Sequence, residues 1–583
     1  MHPWLRVHLK PYRWAFIPAI LFTFAVSALN LVNPLISGAL VDKVIVGGQI
    51  SLLWGFLGLM LGSIVVKSLI RYSYLMVFEH VSQDTIRACR EELFAKVQRM
   101  DFGYLDRTKT GDIMAHMTGD LDAVRHFIAY VIYQFCENGS VFFMAIVALF
   151  FVNWKLTLVM LVITPFIARF TIGLSKDVKP TFTAIREQFS RLNSVVQENI
   201  AGNRVVRALV REDYETDKFQ AENDAFRERN VESALVWAKY LPPIEFFSGL
   251  LPVILILAGG VMIIRGELSL GQLVTFNGLI WAINQPLRMA GWLVNDAERY
   301  SAAADRLSKL YKLKSAIEEK AEGAKPDRVK GRVEFRAVSF SYGDESVLKD
   351  VSFVAESGQT IGILGPTGAG KSSIGRLLCR FYDRDAGGIL LDGIDVRDYD
   401  LDYLRSRVGI AMQDVFLFSD TIEGNIAFGN PLASVEAVQR AAELANANEF
   451  VEELPEGYDT IIGERGVGLS GGQRQRVALA RLLLTAPPVM ILDDTTSAVD
   501  IETEERIQAS IKALRGKHTM FIIAHRISSI MHADQILVVK NGRIVERGTH
   551  EELRRLGGYY EEVFRHQTGR GALCLDRKEK ARG

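Results

Sequence analysis

Cysteine is scarce in this sequence. Its 583 residues hold four, Cys89, Cys136, Cys379 and Cys574, and no two stand at the short spacing that a zinc site or a disulfide framework requires. They read as packing residues in reducing surroundings. Net charge is absent as well, because 68 basic residues offset 68 acidic ones. That balance gives no electrostatic ground for a nucleic-acid partner. Most informative is the lack of any charge over long stretches. Ala15 to Leu40, Leu52 to Val66, Phe246 to Ile264 and Leu268 to Leu287 contain no Asp, Glu, Lys or Arg. Phe127 to Val152 carries only Glu137, and Leu156 to Ala168 is uncharged up to Arg169.

About 20 mostly apolar residues cross the ~30 Å hydrocarbon layer as a helix. The sequence therefore predicts six spans, at about 15–40, 52–75, 127–152, 155–175, 243–264 and 268–290. The first apolar run is too long for a cleaved leader, and no small-residue cleavage site follows it cleanly. Basic residues set the orientation. The connection after span two carries Arg87, Arg90, Lys96, Arg99, Arg107, Lys109 and Arg125, and the one after span four is equally basic. The alternate connections are tiny, among them the Asn153-Trp154 turn. The long connections and both termini are thus expected in the cytoplasm. Helical apolar spacing over Gln83–Met100 and Thr183–Ala208 extends the spans beyond the bilayer. Short polar segments at their ends, near Asp112–Asp122 and Arg211–Lys218, are where a soluble domain could be gripped.

A chain this long exceeds one hydrophobic core, which stops growing near ~250–300 residues. The predicted domains are a transmembrane domain over 1–310, a linker over 311–327, a soluble domain over 328–568 and a basic tail over 569–583. In the soluble domain, Val333–Phe340 alternates like an edge strand, and Thr360–Leu364 is a buried strand running into Gly365-Pro366-Thr367-Gly368-Ala369-Gly370-Lys371-Ser372. Strand, Gly-rich loop and helix together form a phosphate cradle. Its backbone N–H groups close on a β-phosphate at a helix N-terminus. Lys371 neutralises β/γ oxygens, and Ser372 offers a hydroxyl to Mg²⁺. Val489–Asp493 is a second buried strand, whose terminal Asp493 holds magnesium through water in such folds. His525 follows Met520–Ala524 at another strand's C-terminal edge, where ligands of open α/β sheets gather, and is expected at the γ-phosphate.

With Leu469-Ser470-Gly471-Gly472-Gln473 further along, the chain resembles an ATP-binding cassette exporter half-transporter of the type I (type IV) fold over nearly its whole length. The implied fold is an α-helical transmembrane domain of six long helices fused to an α/β P-loop cassette. The resemblance implies that Tyr342 stacks on adenine and that Ser373 belongs to the ATP-binding set. It gives Gln413 a place at the Mg²⁺, reporting to the membrane domain. Gly463-Glu464-Arg465-Gly466 matches the segment before the signature. Leu469 to Gln473 is the signature itself, with Ser470 and Gly472 touching the γ-phosphate held by the opposite subunit. Asp500 matches the D-loop. A dimer follows, because a signature loop has no cradle of its own chain to close on and six spans make half of the usual twelve-helix pathway.

One position departs from the pattern. Hydrolytic members carry a glutamate as general base after the Asp493 equivalent, and this chain has Asp494. Aspartate is one methylene shorter, whereas a base must lie within ~2.6–3.2 Å of its proton, and a ~1 Å misplacement can cost ~10²-fold. The change resembles the degenerate subunit of an asymmetric heterodimer, with this chain's signature serving a different second subunit; a homodimer that tolerates aspartate is the alternative. The resemblance thus implies ATP and Mg²⁺ as cofactors, a plasma-membrane location and export of amphipathic compounds, several drugs among them. A homodimeric lipid or glycolipid flippase is the rival reading. Glu137, Asn138, Glu245, Trp281 and Asn284 are candidates for lining a cargo cavity, since polar groups at lipid depth usually face a cavity or each other. With carboxylates among aromatics, such a cavity would suit amphipathic cations; equally, the aromatics could simply pack helices, with Glu245 near the inner headgroups.

Overall fold

The computed structural model describes residues 3–320, 322–463 and 466–569. Glu464, Arg465, Cys574 and the tail beyond Gly569 lie outside the described residues. The chain divides into two compact units. One comprises the sequence up to Arg99 together with Thr108–Lys314; the other comprises Met100–Arg107 together with the chain from Ser315 onward.

The first unit is built on six long helices: α1 (Arg13–Leu40), α2 (Leu53–Gln98), α4 (Ile132–Leu161), α5 (Thr164–Ala208), α6 (Glu212–Ile264) and α7 (Leu270–Lys312). At 1.5 Å per residue, the 53 residues of α6 run about 80 Å, more than twice the hydrocarbon thickness. Among the described residues four helices are long and apolar enough to cross a membrane: Pro3–Val46, Ile50–Gln98, Thr110–Leu161 and Glu212–Ile264. The sequences of spans four and six explain why their helices are not among the four. Asn153 leaves helical geometry (φ −161°, ψ 106°) at the expected turn, so the apolar run of span four is divided between the end of α4 and the start of α5. Span six mixes Asn277, Asn284 and Gln285 into the apolar stretch of α7.

Leu31, Leu149, Leu251, Phe276 and Leu279 form the centre of this unit. Phe151, Trp54 and Ile264 stand almost bare on its outside, an apolar surface that a bilayer would cover. The short turns at the far ends are tied by Asp42, which accepts from the Gly271 backbone N–H at 2.7 Å and the Ser269 hydroxyl at 2.5 Å.

In the second unit, a four-stranded antiparallel sheet runs in the order β2 (Glu345–Ala355), β1 (Val333–Tyr342), β4 (Ala386–Leu391), β5 (Ile394–Asp395). The expected edge strand is interior: β1 pairs with β2 on one side and β4 on the other. Its alternation reports one solvated face, which inner antiparallel strands also have. A six-stranded sheet runs β10 (Arg543–Gly548), β9 (Gln535–Lys540), β3 (Thr360–Leu364), β8 (Thr519–Ile523), β7 (Val489–Asp493), β6 (Val408–Ala411). Strands β9, β3, β8, β7 and β6 are parallel. Residues of β3, β7 and β8 are buried throughout, which accounts for their unbroken apolar runs.

Two features depart from the expected organisation. The stretch 311–327 is not one linker: Tyr311 and Lys312 close α7, whereas Ala324 donates its N–H to the Asp398 carbonyl at 2.8 Å within the second unit. And the part of the first long connection that groups with the cassette-like unit is Met100–Arg107, ahead of the expected Asp112–Asp122. Its short helix α3 (Phe102–Arg107) stacks Phe102 on Phe381 with centroids 4.3 Å apart, and Asp106 accepts from the Tyr382 hydroxyl.

Candidate active site

Parallel alignment is what assembles the site. The Gly-rich loop follows β3, Asp493 ends β7, His525 lies just past β8 and Gln413 just past β6. All four strands point the same way and neighbour one another, so four predicted segments meet at one sheet edge.

The loop leaves β3 through backbone that only glycine fits. A Cβ on Gly365 would lie 2.1 Å from the Val539 carbonyl oxygen. Gly370 has φ +94° and precedes helix α8 (Lys371–Leu378). Lys371 is buried, and its ammonium donates to the carbonyls of Gly365 at 2.8 Å and Pro366 at 2.9 Å. Burial holds its pKa below the ordinary lysine value, with Asp493 and Asp494 opposing the shift. The Ser372 hydroxyl donates to Asp493 Oδ1 at 3.0 Å. Burial pushes the Asp493 carboxyl up, against the lowering influence of that hydrogen bond and of Arg376.

Tyr342, at the end of β1, is half-buried; its hydroxyl lies 3.3 Å from Ser373 Oγ and accepts from Arg376 at 3.3 Å. Gln413 and His525 are exposed at their strand ends. Asp494 is half-buried with a left-handed backbone, φ +50°, and its N–H donates to the Ile523 carbonyl at 2.9 Å.

The signature residues occupy a different helix start. Ser470 caps α9 (Gly471–Thr485) in a reciprocal box with Gln473. Their neighbours are the residues after β7 rather than the phosphate loop: a Cβ on Gly472 would lie 2.8 Å from the Ala498 carbonyl oxygen. Gln475, which sequence reasoning missed, makes the connection. Its side chain donates to the Asp494 carbonyl at 3.3 Å and Ser497 Oγ at 3.0 Å, and accepts from the Ala498 N–H at 3.1 Å. A glutamine two positions past the signature and buried on the inner face of α9 was the available signal. Asp500 caps α10 (Ile501–Ala513) by accepting from the Thr503 N–H.

Comparison with known proteins decides the family. Residues 16–287 match the ABC transporter transmembrane region and residues 348–497 match the ABC transporter domain. The uncharacterized ABC transporter ATP-binding protein YknU of Bacillus subtilis (strain 168) is 39% identical over 563 residues, 96% of each chain. The chain belongs to the ABC exporters. An ATP-dependent lipid A-core flippase of Desulfotalea psychrophila is 32% identical, covering 96% of this chain and 97% of the relative. YgaD of B. subtilis, whose name proposes multidrug export, is 33% identical over 95% of this chain and 97% of its own. A bacterial Atm1-family ABC exporter with ATP bound superposes with a TM-score of 0.80 at 28% identity, covering 95% of this chain and 98% of that one. The exporter thus couples an ATPase cassette to a membrane domain of its family's type, and its family's half-transporters work as dimers.

The five candidate cargo residues of this exporter have separate surroundings. Glu137 is buried on α4, accepts from the Tyr74 hydroxyl at 2.8 Å and lies 3.8 Å from Arg71. Asn138 donates to the Gln134 carbonyl one turn earlier. Glu245 on α6 and Trp281 on α7 are exposed, and Asn284 keeps a buried side-chain oxygen without a partner. No hydrogen bond or ion pair joins these five side chains among the described residues.

Proposed function

We propose that this exporter is one subunit of a heterodimer that expels amphipathic compounds, several drugs among them, from the cytoplasm or inner leaflet across the plasma membrane. The observation that carries the reading is Asp494. It stands where the general base is expected, one methylene short, beside an intact cradle and signature. Nucleotide bound on this chain would be held and cleaved slowly, while Ser470 and Gly472 complete the cradle of a partner that carries glutamate.

Ser372 and Asp493 present hard oxygen donors beside the Gly-rich loop and fit Mg²⁺, with Gln413 as a further oxygen ligand. When bound, the ion offsets charge on the β/γ-phosphates. Lys371 binds the same oxygens, His525 orients the γ-phosphate, and Tyr342 stacks on the base. Cassettes apart admit cargo; ATP favours the joined state because only that state offers both cradle and signature. Arg211–Lys218 and Phe102–Arg107 are the segments that relay closure to the spans, and both termini and the cassette face the cytoplasm.

ATP turnover of the purified chain alone tests the reading. Slow turnover that rises when a glutamate-bearing half-transporter is supplied is expected; brisk turnover from the chain by itself refutes the asymmetry. The rival, a homodimeric lipid or glycolipid flippase, draws on the relatives named lipid A-core flippases. Stimulation of that ATPase by lipids and not by dyes would favour it.

A further inference from the structure

His525 stands where the sheet runs out of partners. Strand β8 pairs with β3 as far as Ile363 opposite Ile523, and with β7 as far as Asp493 opposite Ile523. The Ala524 N–H still donates to the Ile363 carbonyl at 3.3 Å, and the Asp494 N–H donates to the Ile523 carbonyl at 2.9 Å. Beyond that point neither pairing continues. The His525 ring is exposed and makes no hydrogen bond to its own chain among the described residues. Its direction is therefore set by the backbone that carries it, and that backbone needs another hold.

The hold comes from helix α11 (Tyr559–Gln567), through the side chain of its last residue. Gln567 Nε2 donates to the His525 carbonyl at 2.7 Å, and Gln567 Oε1 accepts from the Ile527 N–H at 2.8 Å. Those two backbone groups flank Arg526, which is extended at φ −98°, ψ 132°. A residue on a neighbouring parallel strand would engage the same carbonyl and N–H. The amide thus takes the place of a strand residue and adds one rung past the end of β8. Both bonds have ordinary length, and their donor and acceptor fix which way the amide faces. Tyr560, fully buried, anchors α11 with its hydroxyl 2.6 Å from His550 Nδ1. On the other side, Arg526 donates to Glu504 Oε2 at 2.7 Å and the Ser529 hydroxyl to Glu504 Oε1 at 2.6 Å. Glu504 is buried in α10, the helix capped by Asp500. The segment after β8 is gripped from both sides, but only Gln567 holds the carbonyl of His525 itself.

Resting on the reading of His525 at the γ-phosphate above, we propose that Gln567 is a positioning residue for that histidine, its amide completing the rung that aims the ring at the terminal phosphate. The effect is selective, because a diphosphate has no γ-phosphate for the ring to meet. An open groove lined in part by Arg526, Ile527, Phe564 and Gln567 flanks the contact. Once the amide is removed, the freed carbonyl and N–H bond to water, so placement is lost and the fold is kept.

The full chain in phosphatidylcholine nanodiscs is loaded with fluorescent trinitrophenyl-ADP. Mg²⁺ complexes of ADP and of the non-hydrolysable ATP analogue AMP-PNP then compete, and the readout is the ratio of their affinities. Gln567→Met keeps the length and the helix propensity of the side chain and removes both bonds. It is expected to lower the AMP-PNP preference at least about threefold while ADP affinity stays within about twofold. Gln567→Glu still accepts from Ile527 but turns an oxygen toward the His525 carbonyl, and an equal loss is expected. His525→Ala should lower the preference at least as far, and adding Gln567→Met to it should lower it no further, because the glutamine acts through the histidine. An unchanged ratio in Gln567→Met beside a lowered one in His525→Ala overturns the proposal alone. So does an equal loss of both nucleotides, or a double variant in which the two losses multiply. An unchanged ratio in His525→Ala overturns the γ-phosphate reading of His525 and the proposal with it. No nucleotide is cleaved in these titrations, so none of the outcomes bears on the asymmetry read from Asp494.

Discussion

Asp494 combines two constraints that pull in opposite directions. Its backbone sits at φ +50°, a region that aspartate enters more readily than longer side chains. The chemistry asks for the longer glutamate, whose carboxylate would advance by one methylene. Asp494→Glu is therefore expected to raise ATP turnover of the purified chain, by roughly 10- to 100-fold if reach is the limiting term. The left-handed position would cost about 1 kcal/mol of stability, to be read as a lower unfolding midpoint beside the faster phosphate release. No change in turnover would show that the base is not what limits this site. Lys371 has a simpler role. Its ammonium already rests on the carbonyls of Gly365 and Pro366 over the loop, and Lys371→Ala is expected to weaken Mg·ATP binding at least ~10-fold in an equilibrium titration.

At the scale of elements, the signature helix and the turn after β7 are built as one piece through Gln475 and the Gly472–Ala498 approach. Gly472→Ala must push that turn aside, because its Cβ would stand 2.8 Å from a carbonyl oxygen. The expected outcome is loss of ATP turnover in the assembled dimer, with nucleotide binding to this chain's own loop unchanged. Loss of both would place the damage in the fold instead. The short helix α3 carries a second test. Phe102→Ala removes a stacked pair worth ~0.5–1.5 kcal/mol, and is expected to reduce cargo-stimulated ATPase while leaving basal turnover intact. How much of this was legible in the sequence followed the range of the interactions involved. The cradle, the strand-end Asp493 and the Asn153 turn were readable because their chemistry is local. The interior place of β1 was not, since alternation reports a solvated face and is silent on neighbours. Nor was the attachment of α3, because Phe102 and Phe381 are far apart in the chain and no periodicity links them. The engagement of Glu137 by Tyr74 and Arg71 likewise required helices to be placed side by side.

For the whole molecule, the proposed asymmetry would have consequences that a symmetric dimer cannot imitate. In the proposed heterodimer each composite site would pair one chain's cradle with the other's signature, so the site on this chain's Lys371 would have a short base and the one it completes with Ser470 a full-length one. Closing the cassettes requires nucleotide to favour the joined state, and a slowly cleaved ATP can supply that bias over several cycles. Two substitutions made in the assembled pair separate the sites. Asp494→Asn is expected to change turnover less than ~2-fold, whereas the matching Glu→Gln in the partner should lower it by ~10²-fold or more. Trapping with vanadate during turnover and photolabelling with azido-ATP would then find the trapped diphosphate on the partner's cradle and uncleaved triphosphate on this one. Equal trapping on both chains, or equal losses from the two substitutions, would mean that aspartate serves as a competent base here. The chain would then be read as half of a symmetric exporter.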